Sequence, residues 1–233
     1  MEEYQCQVLH TYSCYDILPL SFKLIVFDNT LLVKKALSAL VQHGVQSAPI
    51  WDSSQQRYVG MLTVTDFIRL ILYYFESSAS LESALAEIDK LTISALRDLE
   101  RDVLKCLPTN SITIHPSESL CEASKLLLNN QLHRLPLIDS TPTSDTIVSV
   151  LTQSKILRFI AANEVNQTLL EKTIGELGLG TFENLITIEP STQLIEILLI
   201  FIDKRISSVP IVDSDGTVLD VFEKYDVLVF RLD

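Results

Sequence analysis

The chain has 233 residues, of which 47% are hydrophobic, enough apolar material for one large or two smaller packed cores. Its formal net charge of -12 excludes a broad surface for nucleic acid or anionic membrane, whose phosphates need clustered Lys and Arg, so any phosphate ligand requires a local basic pocket. No apolar run reaches the roughly 20 residues of a membrane helix, the Met-Glu-Glu-Tyr start has no signal-peptide pattern, and Cys6, Cys14, Cys106 and Cys121 fall at no metal or disulfide spacing, which fits inert thiols in a cytosolic or nuclear setting.

In chain order, residues 1–18 form an N-terminal segment, and the first amphipathic stretch runs from Leu31 to Val41. Thr30 precedes it with a side-chain oxygen available to the free amides of a first helical turn. Gly44-Val-Gln-Ser-Ala-Pro-Ile-Trp-Asp52 then reads as a short buried strand entered by a proline and closed by a turn. A second strand, Tyr58 to Thr63, runs into a helix start at Val64-Thr-Asp66-Phe. Leu81, Leu85, Ile88, Leu91, Ala95 and Leu99 recur at helical spacing with Glu82, Glu87, Arg97 and Arg101 between them, which predicts one connecting helix.

The same order then returns. Ser119 and Glu122 make a capping-box spacing before Leu120 to Leu128, and Gln131-Leu-His-Arg-Leu-Pro-Leu-Ile-Asp139 repeats the strand frame. Ile147 to Thr152 leads into Gln153-Ser-Lys155-Ile. A joint from Asn163 to Gly180 ends in glycines that permit positive backbone dihedrals. Ser191-Thr192 precedes a third stretch, Leu194 to Ile202, followed by Arg205-Ile-Ser-Ser-Val-Pro-Ile-Val-Asp213 and by Val218 to Phe222 leading into Glu223-Lys-Tyr-Asp226-Val. Leu194 to Ile202 carries Glu196 as its one polar residue, so that helix is expected to be buried on more than one side and to need a cover: a further repeat, a second copy, another subunit, or the rest of this chain.

Three copies of one unit define the organisation: repeats at 19–77, 108–162 and 181–233, a helical connector at 78–107 and a linker at 163–180. One such unit cannot bury its own apolar face, so the copies must pack on one another. Position by position Asp66, Lys155 and Asp226 correspond, each where a second strand turns into a helix.

That position has chemistry. An Asp there can accept hydrogen bonds from a ribose diol, with the Thr63 and Thr65 hydroxyls and free helix amides beside it, or it can simply cap the helix start. Lys155 cannot accept from a ribose. His133-Arg134 is either a solvated surface pair or an anion contact, since a guanidinium can clamp two phosphate oxygens and an imidazole adds a directional donor. His10, His43, His115 and His133 are scattered, with no zinc spacing, nucleophile elbow or phosphate loop, so the chain is expected not to be an enzyme.

The repeated unit resembles the cystathionine-beta-synthase (CBS) domain, two of which normally pair into a Bateman module. Tyr15-Asp-Ile-Leu-Pro, Lys23-Leu-Ile-Val-Phe-Asp28, Ser47-Ala-Pro-Ile-Trp-Asp52, Gly60-Met-Leu-Thr-Val-Thr-Asp66-Phe, His133-Arg-Leu-Pro, Gly180-Thr181 and Val209-Pro-Ile-Val-Asp213 resemble the gamma-subunit family of AMP-activated protein kinase, from about Ser13 onward. The resemblance implies a mixed α/β (α+β) fold of tandem CBS repeats, the first two forming a Bateman module. It also implies a non-catalytic regulatory subunit in a heterotrimer with kinase alpha and beta subunits, with AMP, ADP or ATP as regulatory ligand between repeats. By the same carry-over Met61, Thr63, Thr65, Asp66, Ile112, Thr181, Ile186, Ser207, Ser208 and Asp226 line adenosine pockets, and His133 and Arg134 reach phosphates. Ile112 and Ile186 serve equally well as plain core, and Thr181 as a cap.

Several residues depart from the family pattern. Gln46 stands in place of a basic phosphate ligand, Ser154 in place of a lysine and Glu223 in place of a serine, and three repeats are present where the family has four. Each lost charge-assisted hydrogen bond removes about 1.5 to 3 kcal/mol of nucleotide affinity. The departures imply a second reading, a gamma-like scaffold that has lost useful nucleotide binding. A third, the regulatory appendage of a metabolic enzyme, requires a catalytic domain on the same chain.

Overall fold

A computed structural model describes residues 9–77, 81–103, 112–163 and 171–229. The described residues divide into two compact units, one within Met1–Val26, Pro49–Gly60 and Pro108–Gly180, the other within Phe27–Ala48, Met61–Leu107 and Thr181–Asp233. The repeated order appears in the elements themselves. The first repeat holds β1 (Phe27–Asp28), α1 (Val33–Gln42), β2 (Ser47–Asp52), β3 (Arg57–Thr63) and α2 (Val64–Ser77), and its strands form one sheet in the order β1, β2, β3. After α3 (Leu81–Ile88) and α4 (Ile93–Asp102), the second repeat has α5 (Leu120–Asn129), β4 (Arg134–Ser140), β5 (Asp145–Thr152) and α6 (Gln153–Ala162). The third has α7 (Leu194–Asp203), β6 (Ser208–Val212), β7 (Val218–Glu223) and α8 (Asp226–Val229).

The second and third repeats share one antiparallel register: Arg134 faces Thr152 as Ser208 faces Glu223, with one irregularity in each ladder after Leu137 and Ile211. A short parallel bridge enters each hairpin, Ile114 to Leu137 and Ile188 to Ile211. The first two strand frames bury consecutive residues, Ala48 to Ile50 and Leu135 to Ile138, as strands covered on both faces do, whereas in the third Val209 is buried and Pro210 half-buried.

In the first unit Cys14, Ile114, Leu120, Ala123, Leu127, Leu135, Leu137, Leu151 and Ile156 form the core of the second repeat. The turn after β2 joins this unit by a clasp: Arg57 donates to the Thr141 and Pro142 carbonyls and to Asp145, while Asp145 also accepts from the Tyr58 amide. That clasp, with the Asp145 amide donating to the Gln56 carbonyl at 3.0 Å, ties the first and second repeats within the unit. In the second unit, α2 of the first repeat packs on α7 of the third, and α1 packs on α8.

Four expectations change. The connecting helix is two helices, because the chain breaks at Asp89 to Thr92 and restarts with Thr92 accepting from the Ala95 amide. Thr30 does not cap α1: its hydroxyl donates to Asp28 and the helix starts after Leu32 with no side-chain cap. Nor do Ser191 and Thr192 cap α7, which begins after Gln193; Thr192 instead accepts from the Glu189 amide. Helix α7 buries Ile197, Leu198 and Phe201 but leaves Leu199 exposed, so it is covered on one side rather than all round. The Ser119 cap stands, accepting from the Glu122 amide. Cys14 and Cys121 are buried thiols that form no disulfide among the described residues, and Cys6 and Cys106 lie outside the described residues.

Candidate functional site

Each repeat brings two places in the sequence together by the same hydrogen bond. The Val64 amide donates to the Gln46 carbonyl at 3.3 Å, the Gln153 amide to the His133 carbonyl at 3.3 Å, and the Lys224 amide to the Ser207 carbonyl at 2.9 Å. The varied residue ahead of each strand frame therefore sits at the start of the helix after the hairpin, where free amides and a positive dipole end favour an anion. Gln46, His133 and Ser207 are all exposed there.

The strand-to-helix turns differ in what fills them. In the first repeat, Asp66 is 3% exposed and its Oδ2 accepts from the Thr63 amide at 2.8 Å, while the Thr63 hydroxyl accepts from the Asp66 amide. Arg97, from α4, donates to that same Oδ2 at 3.3 Å, to the Met61 carbonyl and to Glu100. Asp66 Oδ1 meets the Arg69 guanidinium at 3.9 Å. Burial works against the charge on Arg97, but the Asp66 and Glu100 carboxylates outweigh it and raise its pKa. Glu100 is pushed up to about 7, by burial first and Asp66 second.

In the second repeat, Thr152 accepts from the Lys155 amide, and Lys155 Nζ donates to the Val150 carbonyl at 2.8 Å. The ammonium therefore occupies the turn that a carboxylate holds in the other two repeats, and burial lowers its pKa. In the third repeat, Asp226 Oδ2 accepts from the Glu223 amide at 2.7 Å, the same bond that Asp66 makes, in a half-buried setting. Lys224 Nζ lies 3.4 Å from the Thr65 hydroxyl and the Tyr225 hydroxyl 3.4 Å from the Val41 carbonyl, which ties the first and third turns together inside the second unit. Burial lowers the Lys224 pKa and the nearby Arg69 lowers it further.

The second unit thus holds Gln46, Met61, Thr63, Thr65, Asp66, Thr181, Ile186, Ser207, Ser208 and Asp226, and the first holds Ile112, His133, Arg134 and Ser154. His133 Nδ1 lies 3.4 Å from Gln153 Oε1, and Arg134 is half-buried with its pKa lowered by burial. Ser154 is exposed at the start of α6, and Ile112 packs against the core of the second repeat. Thr181 is exposed and Ile186 half-buried.

Arg97 and Glu100 are the site residues that the sequence pattern hid. Arg97 stands among solvated charges of the connector, yet Ile93, Leu96 and Glu100 lie on the buried face of α4. The signal was the seven-residue spacing from Ile93 to Glu100, which puts an acid on an apolar stripe.

The CBS domain family matches residues 16–73, 101–162 and 175–233. The chain is 41% identical over 222 residues to the 5′-AMP-activated protein kinase subunit gamma of Saccharomyces cerevisiae, covering 94% of this chain and 67% of that protein. It is 37% identical over 222 residues to the subunit of the same name in Dictyostelium discoideum, covering 94% of this chain and 38% of that protein. Among solved structures, the CBS-pair protein CBSX2 from Arabidopsis thaliana superposes with a TM-score of 0.50 at 22% identity, over 66% of this chain and 98% of that one, which shows the shared fold.

Proposed function

The chain belongs to the CBS-domain family and, within it, to the gamma-subunit family of AMP-activated protein kinase, and on that premise we propose that it is a non-catalytic regulatory subunit that holds AMP, ADP or ATP at its strand-to-helix turns. The observation that carries this reading is the recurrence of one carboxylate geometry. Asp66 and Asp226 each spend Oδ2 on the amide three residues earlier, which leaves Oδ1 as the oxygen for a ribose hydroxyl. The helix start beside each carboxylate offers amides, and in the first unit His133 with Arg134 has the imidazole and guanidinium chemistry that suits phosphate. Lys155 replaces the acceptor with a donor, so the second turn is left without a ribose contact.

Regulation follows if the nucleotide has different affinities for two arrangements of a complex with kinase alpha and beta subunits, since occupancy alone shifts nothing. Isothermal titration of the complex with AMP and ATP tests this, and heat at micromolar to near-millimolar nucleotide, reduced but not lost in Asp226→Asn and reduced in Arg134→Ala, is the expected result. A folded complex that gives no heat at near-millimolar nucleotide points to the gamma-like scaffold, which the exposed neutral Gln46 and Ser154 also favour.

A further inference from the structure

We infer that Arg97, on the helix between the first two repeats, is a positioning residue that sets the Asp66 carboxylate for ribose recognition, an inference that rests on the nucleotide reading of that carboxylate. The guanidinium pins both ends of the turn between β3 and α2. It donates to the Met61 carbonyl in the strand and to Asp66 Oδ2 in the first turn of the helix, and its other arm holds Glu100. The three side chains are almost out of solvent, with Arg97 15% exposed, Asp66 5% and Glu100 4%. With Oδ2 held by Arg97 and by the Thr63 amide, the rotamer of Asp66 is fixed and Oδ1 is the acceptor presented to a ligand. Arg69, at 3.9 Å from Oδ1 and 31% exposed, is the group a ribose hydroxyl would displace.

The other repeats supply an internal comparison. Val150 and Lys155 stand where Met61 and Asp66 stand, and the Lys155 ammonium sits on the Val150 carbonyl. That carbonyl position takes a cation in both repeats, from the acid's own position in the second and from α4 in the first. Delivering the cation from another helix leaves position 66 for a carboxylate. In the third repeat, Asp226 has the amide bond from Glu223 and no ion pair among the described residues. Arg97 is therefore a feature of one turn and not of the repeat.

A purely structural Arg97 would neutralise two buried acids and have no effect on which sugar is bound. The two roles separate on ribose selectivity, measured by isothermal titration of the full chain with AMP and 2′-deoxy-AMP in an Asp226→Asn background, so that Asp66 alone reads the sugar. Three further variants are compared, with thermal melts to establish folding: Asp66→Asn, Arg97→Lys, and the pair Arg97→Met with Glu100→Met, which removes the Arg97–Glu100 pair together and leaves Asp66 with the Thr63 amide and Arg69. The background protein is expected to prefer AMP by about tenfold, the effect of one well-aligned charge-assisted hydrogen bond. Asp66→Asn and the methionine pair should bring the ratio to about one. Arg97→Lys, which keeps the charge but loses the fork, should fall between. The background ratio unchanged in folded Arg97→Lys, or in the folded methionine pair, overturns the inference while leaving nucleotide binding intact. No AMP binding by the background protein overturns the nucleotide reading of Asp66 as well.

Discussion

Glu100 is the residue whose chemistry most constrains the first turn. Its carboxyl faces Arg97 and, through it, Asp66 and Arg69, with Oε1 buried and without a hydrogen-bond partner among the described residues. Burial first and Asp66 second push its pKa from 4.5 to about 7, with Arg97 and Arg69 opposing. A carboxyl raised on folding holds its proton in the folded protein after the unfolded chain has released it, so stability from this group is present below pH 4.5 and lost as pH rises through about 7. Urea midpoints measured from about pH 5 to about pH 8 should therefore decline in the wild-type protein, and Glu100→Gln should flatten that decline because the amide has no proton to lose. Equal slopes for the two proteins would show that Glu100 does not titrate in this window. The local sequence announced this acid only through its seven-residue spacing from Ile93: it lies beside Arg101, which is exposed, and the position of α4 relative to Met61 and Asp66 brings Glu100 inside.

At the scale of the element, the three repeats leave their first helix the same way. Gly44, Gln131 and Arg205 all have positive φ, at 62°, 53° and 53°. In the first two repeats the reversal is a Schellman turn, with the Val45 amide on the Leu40 carbonyl and the Leu132 amide on the Leu127 carbonyl. Glycine adopts this conformation without strain, whereas Gln131 and Arg205 carry a Cβ that crowds the following carbonyl. Gln131→Gly and Arg205→Gly should each raise stability by up to about 1 kcal/mol, against the usual entropic loss on introducing glycine, while Gly44→Ala should lower it by a similar amount. Chemical denaturation of the three variants decides this, and a destabilised Gln131→Gly would mean that unfolded-state entropy dominates. The helix ends show where the sequence was legible. The Ser119 capping box was visible as a local signal, because the residue type states the backbone geometry it serves. Thr30 and Ser191 carried the same signal and cap nothing, since Asp28 and Glu189 offered nearer partners. The break in the connector was hidden because Leu91 and Ala95 continue the helical period through Thr92, and only the Thr92 cap ends it.

At the scale of the whole molecule, the thrice-written frame made the fold class and the order of elements readable, since one hydrogen bond and one hairpin register recur with it. The grouping of those elements was not readable, because burial of an apolar helix face says that something covers it and not what. The third repeat shows the consequence. Strand β7 leaves Val218, Leu219 and Val221 exposed, with Leu199 of α7 also exposed; in β3 the position of Val221 is the buried Met61, while Val59, at the position of Leu219, is exposed as well. An apolar strip of this kind drives association, while a net charge of -12 opposes it by repulsion between copies. The two forces respond differently to salt: screening shortens the range of repulsion from about 10 Å at 0.1 M to about 3 Å at 1 M but leaves apolar burial intact. The isolated chain should therefore associate more strongly as salt is raised, the reverse of an assembly held by ion pairs. Sedimentation velocity across that salt range should show the average mass rising for the wild-type protein and staying near 26.2 kDa for the pair Leu219→Glu with Val221→Glu. The substituted side chains lie on an exposed strand, so the variant should keep its melting temperature. A salt-driven rise of equal size in the variant would place the associating surface elsewhere than β7.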